Sequence, residues 1–145
     1  MSAILEAGLH ELDPATLYEI LRLRVDVFVV EQECPYPELD GFDIGAAHLW
    51  IPGPESMPIA AYLRVIDEGR RRRIGRVVTH PDARSDGLAG RLLEHVLATT
   101  TGPWFLSAQS RLRHWYEGFG FVEVGAEYLE DGIPHVDMLR GIPAG

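Results

Sequence analysis

Residues 74–91, IGRVVTHPDARSDGLAGR, combine residue types that could bind a diphosphate group. A strand pattern leads into a loop containing Gly87, Ala89 and Gly90, and the loop opens an amphipathic helix pattern. Small residues let backbone amides approach a ligand closely, and the first turn of a helix offers unpaired N–H groups with partial positive charge. Arg84 and Arg91 could add charge-assisted hydrogen bonds. A tight strand-to-helix connection with a glycine turn explains the same spacing equally well.

Two common classes of phosphate-binding site are excluded by the residues that are missing. All 13 basic residues are arginine, so the chain has no lysine. A P-loop lysine, a Schiff-base lysine and a Ser-Lys dyad are therefore impossible. The loop also lacks the GxGxxG pattern, which argues against a dinucleotide site of the Rossmann type.

A second group with chemical potential lies in residues 109–121, QSRLRHWYEGFGF. Trp115, Tyr116 and Phe119 form an aromatic stripe at helical spacing. A phenol with an ordinary pKa of about 10 is protonated at neutral pH and can donate a hydrogen bond to a leaving thiolate. Periodicity alone favours the simpler interpretation that these aromatics pack in a core.

Four landmarks in chain order resemble the GCN5-related N-acetyltransferase (GNAT) family. Arg84-x-x-Gly87-x-Ala89 fits the acetyl-CoA signature of that family, and the preceding strand end VVTHP (77–81) is also typical. The segment 109–121 resembles the helix that carries a tyrosine shortly before Gly-Phe. Residues 27–43, VFVVEQECPYPELDGFD, and 130–136, EDGIPHV, resemble the ElaA-like branch of the family. The resemblance spans nearly the whole chain.

The resemblance implies how acetyl-CoA is bound. The backbone of residues 77–79 is expected to pair with the pantetheine arm like an added strand, and amides of residues 85–90 are expected to hold the diphosphate. Gln109 stands where many relatives carry an asparagine at the start of the last helix. The predicted cofactor-binding residues are Val77, Val78, Thr79, Arg84, Ser85, Asp86, Gly87, Leu88, Ala89, Gly90, Arg91 and Gln109.

Acetyl transfer from a thioester to an amine needs a neutral amine, a polarised carbonyl and a proton for the departing thiolate. Because the resemblance includes this helix, Tyr116 is predicted to donate its hydroxyl hydrogen to the departing thiolate. Full proton transfer from a phenol to a thiolate with a pKa near 8.5 is uphill by ~2 kcal/mol. Tyr116 is therefore expected to stabilise the thiolate more than it drives the reaction.

Removing a proton from an alkylammonium at neutral pH costs roughly 4.6 kcal/mol. Enzymes therefore usually supply a base that takes this proton, directly or through water. Glu31 is the first candidate for a catalytic base, and a water relay without any single base is the alternative. The other candidates are Asp40, Asp43, His80 and His135. Residues predicted to bind the acceptor are Arg24, Glu31, Asp40 and His135.

Charge is distributed unevenly along a chain whose formal net charge is −9. Residues 64–91 hold eight arginines against four carboxylates, whereas residues 26–43 and 117–137 each hold six carboxylates and no arginine. A basic region suits an anionic cofactor and acidic segments suit a cationic amine. Solvated acidic loops explain the acidic segments equally well. The overall negative charge argues against general nucleic-acid binding.

Cysteine, histidine and hydropathy patterns set further expectations. Cys34 is the only cysteine, so an internal disulfide and a cysteine-based zinc cluster are excluded. The six histidines show no metal-ligand spacing, so no metal is expected. No run approaches the roughly 18 to 20 apolar residues of a membrane helix, and no signal peptide is recognised. These patterns predict a cytoplasmic protein.

The pattern of elements must bring these groups together. Asp13 and Pro14 predict a helix start, and an apolar stripe extends that helix to about Val29. The segment 31–45 is interpreted as an ordered loop, and the chain order as β-α-β-β-β-α-β-α-β-β. The predicted strands are 4–10, 48–51, 59–66, 73–79, 104–108, 121–128 and 134–139; the two later helices begin at Asp86 and Ser110.

These patterns and the resemblance predict one α/β domain, residues 1–145, with the GNAT (acyl-CoA N-acyltransferase) fold. That fold is a mixed, mostly antiparallel sheet with helices on both faces, whose strands 73–79 and 104–108 run parallel and splay apart. The implied function is acetyl-CoA-dependent N-acetylation of a small-molecule or protein amine by direct attack. A non-catalytic acyl-CoA sensor and an acyltransferase of different acceptor chemistry, such as a homoserine-lactone synthase, stay open as alternatives. A homodimer also stays open.

Overall fold

The computed structural model describes residues 3–141 and contains one seven-stranded sheet in the order β1-β2-β3-β4-β5-β7-β6. Neighbouring strands are antiparallel except β4 and β5, which are parallel. This is the mixed, mostly antiparallel sheet that was predicted. The strands are β1 (Leu5–Gly8), β2 (Ala47–Pro52), β3 (Ile59–Asp67), β4 (Arg72–Thr79), β5 (Trp104–Gln109), β6 (Val122–Glu130) and β7 (Ile133–Arg140).

The two central strands separate almost as soon as they meet. β4 and β5 pair only at Arg72 with Trp104 and at Arg73 with Phe105. Beyond those pairs β4 continues to Thr79 with β3 on one side, while β5 continues to Gln109 with β7 on its other side. The predicted central splay is therefore confirmed, and it opens toward the C-terminal ends of both strands.

Helices cover both faces of the sheet because successive residues of β3 point to opposite sides. Leu63 packs in a cluster with Leu92 and Val96 of helix α2 (Leu88–Thr99), and Tyr62 packs in a second cluster with Ile20 of helix α1 (Pro14–Arg24). A short helix α3 (Arg113–Glu117) follows β5. The prediction of helices on both faces is confirmed.

The first helix starts as predicted but ends differently. The Asp13 side chain accepts a hydrogen bond from the Thr16 N–H at 2.8 Å, and Pro14 occupies the first turn. The α-helix ends at Arg24, and a π-helix continues it over Val25–Glu31. Four of the seven residues in VDVFVVE are valine, whose branched side chains crowd a tight helix. The wider turn carries the chain on to Glu31, beside the splay.

The last predicted helix is shorter than expected. Residues 110–112 form a 3-10 turn and only Arg113–Glu117 is α-helical. Gly120, with φ of +90°, then reverses the chain into β6. Within residues 3–141, no helix is long and apolar enough to span a membrane.

Candidate active site

A cavity of about 1280 Å³ lies at the splay between β4 and β5. Its walls include the C-terminal halves of both strands, the loop before α2, the end of the π-helix and the β6–β7 turn. The cavity gathers most of the predicted cofactor-binding residues, whereas Asp86 and Arg91 are not part of its lining. The predicted residues that line it are Val77, Val78, Thr79, Arg84, Ser85, Gly87, Leu88, Ala89, Gly90 and Gln109.

The start of α2 has the geometry of an anion site. Gly87 adopts a left-handed conformation with φ of +71° and places no side-chain cap on the helix. The first intrahelical bond runs from Arg91 N–H to the Gly87 carbonyl, so the N–H groups of residues 88–90 have no acceptor within the helix. These amides and the helix dipole can together hold a diphosphate.

Two residues of the loop show why small or strained residues are needed there. Ser85 has φ of +81°, a conformation that non-glycine residues rarely adopt and that is often found at ligand sites. A Cβ on Gly90 would lie 3.2 Å from Cζ of Phe119, closer than an ordinary contact. The sequence pattern assigned Gly90 to ligand approach, and the structure shows that it also lets α2 pack against Phe119.

β4 carries a bulge just before the residues predicted to pair with pantetheine. Arg64 of β3 faces Gly75, and Tyr62 faces Val78, so β4 holds one extra residue between these pairs. Arg76, with φ of +54°, is part of this bulge. The bulge bends the strand at the splay. Residues 77–79 therefore leave one strand edge without a partner strand among the described residues, and that edge can accept an extended ligand.

Tyr116 lies at the bottom of the same cavity and is also part of the core. Tyr116 is 6% exposed, and its ring packs edge-to-face against Trp115 at a centroid distance of 4.8 Å. Burial raises the pKa of the phenol, which keeps it protonated. Within residues 3–141, its hydroxyl makes no hydrogen bond to another residue. Tyr116 therefore both packs in the core and lines the cavity, two roles between which the sequence could not decide.

Glu31 lines the cavity and is paired with Arg84. The guanidinium donates two hydrogen bonds to the carboxylate, with N···O distances of 2.8 and 2.7 Å. The hydrogen bonds from Arg84 lower the pKa of Glu31. A carboxylate with a lowered pKa is a weaker base, which argues against the predicted role of Glu31 in removing a proton.

Arg24 lies in a buried ion-pair network and is not part of the cavity lining. It is 0% exposed and donates to Glu38 at 2.7 Å and to Asp43 at 2.7 Å. Burial opposes its charge, but the hydrogen bond to Asp43 and the attraction of its partners outweigh that effect and raise its pKa. This placement argues against the substrate contact predicted for Arg24.

Asp40 and Asp43 belong to the same network. Arg64 of β3 donates to Asp40 at 2.6 and 3.0 Å and to Asp43 at 3.0 Å, while Arg76 donates to Asp40 at 3.2 Å. Burial opposes ionisation of Asp40, but Arg64 and then Arg76 outweigh it and lower its pKa to about 2. Both aspartates hold the loop between α1 and β2 in place, and neither is poised to accept a proton at neutral pH.

The two histidine candidates are placed differently. His80 accepts a hydrogen bond from the Asp82 N–H at 3.1 Å and is not part of the cavity lining. His135 lines the cavity, is 8% exposed, and has Nδ1 2.7 Å from the Ile133 carbonyl oxygen. Because a carbonyl oxygen only accepts, the hydrogen lies on Nδ1 and is donated to it. Nε2 lies 3.3 Å from the Glu130 carboxylate.

Sequence reasoning missed the arginines that organise the loop. Arg76 donates to Glu38 at 2.8 Å and its guanidinium lies over the ring of Tyr36, while Arg64 joins two aspartates. The signal was present as the six carboxylates in residues 26–43, which need nearby cations when they are buried. Only the fold shows which arginines supply them.

A family model described as "Acetyltransferase (GNAT) domain" matches residues 30–140. The chain therefore belongs to the GNAT family, and it is an acyltransferase of that family. Among its relatives, UPF0039 protein Rv2851c of Mycobacterium tuberculosis is 48% identical over 137 residues, covering 90% of this chain and 87% of that one.

Solved structures agree with this assignment. The crystal structure of an acyl-CoA N-acyltransferase from Pseudomonas aeruginosa is 38% identical with a TM-score of 0.89, covering 97% of this chain and 100% of that one. Escherichia coli ElaA is 34% identical with a TM-score of 0.88 and the same coverage, which confirms the resemblance to the ElaA-like branch. The acyl-homoserine lactone synthase BjaI, at 18% identity and a TM-score of 0.71, covering 96% of this chain and 82% of that one, shares the fold alone.

Proposed function

We propose that the protein transfers an acetyl group from acetyl-CoA to the primary amine of a small molecule or a protein. The observation that carries this proposal is the open edge of β4 beside the uncapped start of α2, at one cavity. An extended pantetheine arm fits the strand edge, and a diphosphate fits the amides of residues 88–90. Acetyl-CoA supplies the activated acyl group as a thioester.

The loop and strand have distinct tasks in this proposal. The backbone of Val77–Thr79 pairs with the arm, and Ser85–Gly90 encloses the diphosphate with amides rather than with lysine side chains. Arg84 adds a charged hydrogen bond at the mouth of the loop. Gln109, at the end of β5, faces the arm from the opposite wall of the splay.

Tyr116 is proposed to receive the charge that develops on sulfur. The new N–C bond forms as the C–S bond breaks, so negative charge moves to sulfur while the amine nitrogen gives up a proton. A buried phenol with a raised pKa stays protonated and donates a hydrogen bond to that sulfur. Its unpartnered hydroxyl is free for this bond.

His135 is proposed to take the proton from the acceptor, directly or through water. Its Nδ1 is fixed on the Ile133 carbonyl, and Glu130 lies beside Nε2. Glu31 and Asp40 are less suited, because their arginine partners lower their pKa values. We further propose that the reaction occurs in the cytoplasm, where the free thiol of Cys34 would stay reduced.

Ligand binding and turnover test this proposal separately. A melting-temperature shift with acetyl-CoA, CoA and NAD should show stabilisation by the first two alone, by ~2.7 kcal/mol at 100 times the dissociation constant. Thiol release should then appear with at least one primary amine, fastest for acetyl-CoA among acyl-CoAs of increasing length. Binding of acetyl-CoA without thiol release for any amine would instead support a sensor, and stabilisation by NAD alone would contradict the site itself.

A further inference from the structure

The segment Glu31–Cys34, here called the strap, crosses the open end of the splay. Glu31 binds Arg84 in the loop before α2, here called the signature loop. The Gln32 side chain accepts a hydrogen bond from Gln109 at the end of β5, at 3.0 Å. Cys34 Sγ lies 3.5 Å from the carbonyl oxygen of Asp131 in the β6–β7 turn. The strap thus contacts the loop before α2, the end of β5 and the β6–β7 turn.

The contact between Glu31 and Arg84 occupies the guanidinium that is proposed to bind the diphosphate. Arg84 is the first residue of the signature loop, and both of its terminal nitrogens are bound to Glu31 at 2.8 and 2.7 Å. A planar guanidinium binds a carboxylate and a phosphate through the same fork of N–H groups.

We propose that Glu31 is a competing ligand for Arg84 that the diphosphate displaces when CoA binds. The inference rests on the proposed function, because it needs a diphosphate at the start of α2. In the empty protein Glu31 holds Arg84 toward the strap. In the complex Arg84 turns to the diphosphate, and Glu31 is left as a free carboxylate lining the cavity.

The displaced carboxylate has a consequence for the acceptor. A free negative charge at the cavity favours a cationic amine, so cofactor binding prepares the acceptor site. By thermodynamic reciprocity the bound amine strengthens cofactor binding by the same factor. Glu31 would therefore act as a positioning and recognition residue for the acceptor.

Both side chains of the pair are 44% exposed, so the competition is modest. Exposed ion pairs of this kind change a binding constant by about two- to fivefold. Glu31→Gln should therefore tighten CoA binding by about that factor. A residue that merely supported the loop would weaken binding when it was changed.

The test is calorimetric titration of CoA into the wild type, Glu31→Gln, Arg84→Gln and the double variant. Arg84→Gln alone should weaken binding, and Glu31→Gln should have almost no effect in that background, because the competed group is gone. Glu123→Gln is the matched control: Glu123 pairs with Arg113 at 3.0 Å, both are 39% exposed, and neither lines the cavity. This control should leave CoA affinity unchanged.

The outcomes separate this inference from the proposed function. If the wild type binds no CoA, the proposed function fails first and the inference fails with it. If the wild type binds CoA and Glu31→Gln binds it equally or more weakly, the competition alone is overturned. Equal tightening in the presence and absence of Arg84 would show a general charge effect and would also overturn it. Melting curves of each variant confirm that the fold is retained.

Discussion

The two walls of the cavity are built from different groups. The cofactor wall, formed by β4, the signature loop and the start of α2, offers backbone N–H groups and a strand edge. The opposite wall, where the proposed acceptor would bind and which is here called the acceptor wall, is formed largely by residues 31–45 and β7 and depends on side chains. There three arginines bind three carboxylates, and the cluster holds the loop against the sheet. Arg24, Arg64 and Arg76 are those arginines, and Glu38, Asp40 and Asp43 are the carboxylates.

This difference explains why one wall suits a fixed ligand and the other suits a variable one. Backbone amides recognise a diphosphate whatever the loop side chains are, so a short motif is enough. We therefore expect the chemistry of the acceptor to depend on residues outside the cofactor motif.

The largest expected effect is on the stability of the acceptor wall. Arg24→Met would leave Glu38 and Asp43 buried without their main partner and should lower the free energy of unfolding by about 3–5 kcal/mol. Urea unfolding measures this loss. Arg22→Met is the control, because Arg22 is 61% exposed and its ion pairs are 3.6 and 3.8 Å long. It should cost at most about 0.5 kcal/mol, and equal losses for both variants would refute the network.

The next effect concerns turnover and the Tyr116 hydroxyl. Tyr116→Phe removes the hydroxyl but keeps the ring that packs against Trp115 and Phe121. Turnover should fall by roughly 10²-fold, while the dissociation constant for acetyl-CoA stays within about twofold. Steady-state kinetics and calorimetry check the two parts. Unchanged turnover would remove Tyr116 from the mechanism, and lost binding would make its role structural.

A third effect is the pH dependence of stability contributed by Asp40. Its pKa in the folded protein, about 2, is below the ordinary 3.8, so it contributes stability above pH 4 that is lost as pH falls toward 2. Asp40→Asn should lower the free energy of unfolding by at most about 2 kcal/mol near pH 6. The difference from wild type should shrink as pH falls below 4. A difference that stays constant with pH would contradict the assigned ion pairs.

The smallest effect tests the backbone of the signature loop. Gly87→Ala forces a side chain into φ of +71° and should lower the free energy of unfolding by about 1 kcal/mol. No heavy atom lies within 4 Å of the added Cβ, so the cost is conformational. Gly45→Ala is the control, since Gly45 has equal space and no positive φ. A cost equal to that of the control would argue against strain at Gly87.

The cofactor wall and the acceptor wall also differ in how far the sequence predicted them. The order of elements, the capped start at Asp13 and the cavity-lining loop followed from local patterns, because caps, turns and periodicity are encoded by neighbouring residues. The continuation of α1 as a π-helix to Glu31 was not predicted, since the apolar stripe was interpreted as one continuous helix to about Val29.

The acceptor wall could not be predicted because its partners are distant in the chain. Arg64 and Asp40 are 24 residues apart, and Arg76 and Glu38 are 38 apart. An arginine that binds substrate and one that binds buried carboxylates look the same in sequence. Arg24 was predicted to contact the acceptor, and in the structure it is fully buried.

The most direct test of the account is a crystal structure of the protein with CoA. We expect the diphosphate on the N–H groups of residues 88–90 and the pantetheine arm beside the backbone of Val77–Thr79, with its sulfur near the Tyr116 hydroxyl. Density for CoA at any other surface, with the start of α2 empty, would contradict the account.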